Sequence, residues 1–83
     1  MNFQEANKKV HKVEDQWHYP LMIAAGFVAV TKEAVGFVRN YHYTRDTLNV
    51  VCVTGASSDY WSCSQRQSNG YWADLEPFLK GLA

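Results

Sequence analysis

The sequence predicts a small α+β domain over residues 1–83: an N-terminal helix, a three- to four-stranded antiparallel meander, and a C-terminal helix packed on one sheet face. Three observations lead there. Apolar residues recur at helical steps near the start, β-branched and aromatic residues crowd together from Phe27 onward, and helical spacing returns from Trp72.

Phe3, Ala6, Val10, Val13 and Trp17 fall at steps of three and four, with Glu5, Lys8, Lys9, Lys12, Glu14 and Asp15 between them. This is the pattern of an amphipathic helix with one buried stripe. Asn2 stands as its N-cap, and Glu5 occupies the capping-box position. His18 and Tyr19 precede Pro20, whose ring disfavours helix in the residue before it, so the helix should end there. Pro20 can open a short second helical segment that Gly26 closes in the left-handed conformation.

The stretches Phe27–Thr31, Gly36–Thr44 and Leu48–Thr54 read as three strands of a meander. Side chains alternate along a strand, so Phe37, Arg39, Tyr41 and Tyr43 share one face while Val38, Asn40, His42 and Thr44 share the other. Helices should cover one face and water half-wet the other. A turn over Gly55–Tyr60 makes Asp59–Gln65 a fourth strand that sets Thr54 opposite Trp61 and Cys52 opposite Cys63. Arg66–Gly70 then reads as a loop, followed by a helix carrying Trp72, Leu75, Leu79 and Leu82 on one face. Ser68 or Asn69 would cap this helix, and Pro77 is tolerated if it falls in the first turn.

A chain of 83 residues is one domain by size, and a domain this small buries only a little over half of its unfolded surface. Dense aromatic packing helps, and 14% of the residues are Phe, Trp or Tyr. Self-association into a homodimer is the other route to stability.

The eight basic and eight acidic residues balance, which leaves no cationic excess for phosphate binding. The longest apolar run, Pro20–Val30, is too short to span a bilayer, and the start lacks the order of a secretion signal. A cytoplasmic protein with reduced thiols is expected. If Cys52 and Cys63 pair across the hairpin, a disulfide is the alternative to two small buried thiols.

No cofactor or metal is expected. His11, His18, His42, Cys52 and Cys63 lack the close ligand pairs that zinc sites use, and no hydrolase, phosphate-loop or dinucleotide motif is present. The turn around Gly55 has the small and hydroxylated residues that turns themselves require. The positive signal is aromatic. Tyr60-Trp61 and Tyr71-Trp72 flank a run of Ser, Gln, Asn and Gly, a composition that binding loops favour. Trp61 and Trp72 are expected in the core, which leaves Tyr60, Tyr71 and Arg66, together with Arg39, Tyr41 and Tyr43 of the sheet, as the partner-binding surface.

The order helix, strands, helix resembles the topology of the double-stranded RNA-binding domain. That resemblance would imply phosphate contacts at the start of the last helix, where this chain carries Asp74 and Glu76. The basic cluster of Lys8, Lys9, His11 and Lys12 would be the nucleic-acid surface in such a reading, and a small enzyme without a recognisable motif is a third. In size, neutral charge and lack of enzymatic motifs, the chain looks like small accessory proteins of bacteriophages and prophages. That resemblance implies binding and blocking of one host protein or complex, including defence complexes, in the host cytoplasm.

Overall fold

A computed structural model of the chain describes residues 12–82. Phe3, Ala6, Val10, Lys8, Lys9 and His11, which carry most of the expected first helix and its basic cluster, lie outside the described residues. Where that helix should continue, Lys12 and Gln16 are extended, and the residues between them form only a 3-10 turn, Val13–Asp15. The sequence expectation of a helix running through Trp17 is corrected there.

A second helical segment forms, but it starts at His18 and Tyr19, the residues expected to end the first helix, and Pro20 follows inside its first turn. Pro20 is the third residue of α1, His18–Ala24, where a missing N–H costs nothing because first-turn donors have no partner inside the helix. The end is a Schellman motif. Gly26 takes φ +88°, its N–H donates to Ile23 O at 3.0 Å, and Phe27 N–H donates to Met22 O at 3.0 Å. Phe27 and Met22 are both buried, so the hydrophobic contact that accompanies this motif turns the chain from helix into sheet.

The sheet is antiparallel and five-stranded, in sequence order: β1 Val28–Val35, β2 Val38–Arg45, β3 Leu48–Thr54, β4 Tyr60–Cys63 and β5 Ser68–Tyr71. Two-residue turns join β1 to β2 and β2 to β3, with Gly36 and Asp46 at positive φ. A bulge between Ala29 and Thr31 shifts the register of β1.

The β3–β4 register differs from the sequence expectation by two residues. Cys52 faces Trp61, Val50 faces Cys63, and Val53 faces Tyr60. A shift of two preserves faces, so Cys52, Trp61 and Cys63 still point the same way although Cys52 and Cys63 are not partners. Both cysteines are buried free thiols. The expected loop at Arg66–Gly70 is instead a 3-10 turn, Ser64–Arg66, followed by β5, whose residues pair with the whole of β4.

The chain then makes a 3-10 turn, Trp72–Asp74, and enters α2, Leu75–Lys80, where Pro77 again sits in the first turn. Both α-helices cover the face that carries Tyr41, Tyr43, Val50, Cys52, Trp61 and Cys63, and Met22, Leu75 and Leu79 complete this core. The result is a small compact α+β domain. It departs from the double-stranded RNA-binding topology in having five strands and a final helix of 6 residues. No helix among the described residues is long and apolar enough to cross a membrane.

Candidate functional site

The strand register sorts the expected contact residues into two classes. Glu33, Asn40, Val53, Tyr60 and Tyr71 form one row across the open face, and Thr31, His42, Val51, Ser62 and Asn69 form the next. Lys32, Tyr41, Cys52, Trp61 and Gly70 form a row on the helix side.

Tyr41 and Tyr43 therefore belong to the core, each only 1% exposed, and their place in a partner-binding surface is corrected. Alternation places them on one face, and that face is the one the helices cover. Tyr41 hydrogen-bonds Thr54, and Tyr43 Oη lies 2.7 Å from His18 Nδ1. Burial holds both phenol pKa values above the ordinary value for tyrosine.

Arg39 is half-buried on that same side. Its guanidinium donates to Gly36 O at 2.8 Å and Val38 O at 3.3 Å, which ties it to its own hairpin tip. Arg66 is exposed in the turn at the far end of the β4–β5 hairpin from Tyr60 and Tyr71. The six expected residues thus separate, and only Tyr60 and Tyr71 stand together.

These two are directly opposed on the open face and remain 41% and 62% exposed. Cross-strand side chains at such a position lie within contact distance, so each ring limits the other's rotamers. Val53, the β3 partner of Tyr60 in the same row, is buried beside the pair. Ser62 and Asn69, opposed in the next row, add polar groups beside the rings.

The ladder runs one step further, because Trp72 N–H donates to Asp59 O at 3.1 Å. This step turns Asp59 and Trp72 to the helix side. There Trp17 Nε1 donates to Asp59 Oδ2 at 2.7 Å, and Trp17, Leu21, Asp59, Trp72 and Glu76 line a hollow between the two helices. Trp72 is 62% exposed, contrary to its expected place in the core, whereas Trp61 is buried as expected. The β4–β5 pairing that turns Trp72 outward has no signal of its own in the sequence.

His18 lies behind Trp17, edge-on to it at 5.4 Å between ring centroids, with Tyr41 at 4.9 Å and Tyr43 at 5.5 Å. Its Nε2 is buried and has no hydrogen-bond partner among the described residues. Burial lowers its pKa to about 4 despite the opposing field of Asp59. The Cys52 thiol is pushed up to about 12 by burial, the reverse of what a nucleophile needs. On the open face His42 Nε2 meets Glu33 Oε1 at 2.8 Å, an exposed pair between β2 and β1. Among the described residues no three His, Cys, Asp or Glu side chains cluster closely enough to hold a metal ion.

Compared with protein-family models, curated proteins and solved structures, the chain matches none.

Proposed function

We propose that the chain is a small non-catalytic binding protein that docks on a protein partner through the Tyr60–Tyr71 corner and blocks or modulates it. The observation that carries this reading is the pair itself: two large exposed rings, opposed across a hairpin and flanked in their row by a buried valine. Tyr and Trp dominate interface energetics because they offer wide contact area at small entropy cost and can still hydrogen-bond at their polar ends. Trp72, just around the edge of the same hairpin, extends the apolar area. Nucleic-acid binding is less well supported. The exposed corner carries Asp59, Asp74 and Glu76 rather than a basic stripe.

In this reading the chain works in the cytoplasm with both thiols reduced, as a phage-type accessory inhibitor of a host protein would. Self-association into a homodimer is a competing use of the same corner, and would appear as a concentration-dependent mass.

The test uses the full chain and its Tyr60→Ala/Tyr71→Ala double variant as baits in a bacterial lysate, with mass spectrometry of what each retains. A protein held by the wild type and lost by the folded double variant supports the corner. Identical capture by both sinks it.

A further inference from the structure

We infer that the hollow on the helix side of the same hairpin end receives a cationic side chain, specifically the alkylammonium of a lysine presented by a protein partner. This deepens the docking reading by giving the partner a basic side chain. The hollow has aromatic walls from Trp17 and Trp72 and carboxylates from Asp59 and Glu76. An ammonium group gains from both, since an indole face attracts cations through its quadrupole and a carboxylate pairs with them directly. Leu21 supplies apolar surface for the methylene stem.

The fittings are pre-set. Asp59 Oδ2 accepts the Trp17 indole N–H at 2.7 Å, so ring and carboxylate hold each other in place before any ligand arrives. Trp72 is fixed at its backbone by the hydrogen bond to Asp59 O, and the residue is 62% exposed. Lys80 meets Glu76 at 3.4 Å as an exposed i,i+4 pair. Such pairs are weak, and Lys80 lines the neighbouring groove with Arg45 rather than this hollow. Arg45 is itself engaged, donating to Ala25 O at 2.8 Å with its guanidinium over the Phe27 ring. The negative charge of Asp59 thus stands against aromatic surface without a basic neighbour lining the same hollow among the described residues.

The chain has three Trp, so the indole N–H signals of Trp17, Trp61 and Trp72 give three resolved NMR reporters in the full-length protein. The probe is Nα-acetyl-lysine N-methylamide, with Nα-acetyl-norleucine N-methylamide as its uncharged counterpart of similar shape. Saturable shifts at Trp17 and Trp72 are expected, with Trp61 unmoved and the norleucine compound roughly tenfold weaker. Asp59→Asn keeps an acceptor for the Trp17 N–H but removes the charge, and Trp72→Ala removes one wall. Each should weaken the lysine probe by roughly fivefold to tenfold, with the Trp61 signal reporting an intact fold. Equal response to both probes, no saturation with the lysine probe, or indifference to both substitutions overturns the inference. Because no partner takes part, those results leave the lysate comparison of Tyr60 and Tyr71 standing or falling independently.

Discussion

His18 Nδ1 and the Tyr43 hydroxyl are hydrogen-bonded at 2.7 Å inside a box whose other walls are Trp17 and Tyr41. The pair joins α1 to the central part of the sheet. Burial depresses the His18 pKa from 6.5 to about 4, so the folded chain holds the imidazole neutral while the unfolded chain protonates it first. Stability from this group is fully present above pH 6.5 and is lost as pH falls toward 4, because the unfolded state binds the extra proton across that window. The full difference is on the order of 3 kcal/mol. Urea unfolding at several pH values should show this acid slope, and His18→Phe should flatten it between pH 6.5 and 4. An unchanged slope in a folded His18→Phe protein would assign the acid sensitivity to other groups.

Tyr43→Phe removes the other half of the contact while keeping the ring. His18 then loses its Nδ1 partner in a place that water does not reach, and its Nε2 has no partner among the described residues. The expected loss is about 1–3 kcal/mol at neutral pH, read as a lower urea midpoint with unchanged m-value. Tyr60→Phe, at an exposed ring, should stay within about 0.5 kcal/mol.

Gly55 closes β3 at φ +85°, and a Cβ built on it would sit 2.0 Å from the Phe37 carbonyl oxygen. Backbone cannot yield there without moving the β1–β2 hairpin tip. Gly55→Ala should therefore cost more than 3 kcal/mol or so, by combining a left-handed alanine with a direct clash. At Gly36 the φ is +63° but a Cβ meets nothing within 4 Å, so Gly36→Ala should cost only about 1 kcal/mol. Thermal unfolding of the two variants separates clash from dihedral strain.

Gly55 also bears on why the register of the β3–β4 hairpin is not readable from residue spacing. Gly55 lies against the Phe37 carbonyl and outside the ladder, and the first β3–β4 pair is Val53 with Tyr60. The period-two alternation survived because the slip was even, which is why Trp61 and Cys63 were placed inward while their partners were misassigned. Gly26 and Pro20 were legible because local chemistry alone dictates a left-handed cap and a first-turn proline. Ser68–Tyr71 was not, since Ser-Asn-Gly has loop composition and becomes a strand only by pairing with β4. Tyr41 and Tyr43 show the remaining limit. Alternation says which residues share a face, but which face the helices cover is decided by how α1 and α2 dock.

Cys52 and Cys63 are both buried, and the Cys52 pKa near 12 keeps its thiol protonated at neutral pH. Neither thiol should react with a disulfide reagent within minutes under native conditions. Both should react completely once urea unfolds the chain, and the native rate should track global opening. Rapid labelling of Cys63 alone would point to fraying of the β4–β5 hairpin.

The two Tyr-Trp pairs look alike in sequence yet predict opposite outcomes at their tryptophans. Trp61 is 2% exposed, its ring lies 4.4 Å from that of Phe78, and its Nε1 donates to Tyr71 O at 3.0 Å. Truncation would leave a cavity between the sheet and α2 and strand the Tyr71 carbonyl, so Trp61→Ala should cost about 3–5 kcal/mol. In a domain this small that loss is comparable with the whole stability. Trp72 is one ladder step past Tyr71 and mostly in solvent, so Trp72→Ala should change stability by less than about 1 kcal/mol. The measurement is circular dichroism with heating for both variants. A folded Trp61→Ala beside an unfolded Trp72→Ala would reverse the assignment of core and surface at this corner, and with it the case for Trp72 as a contact residue.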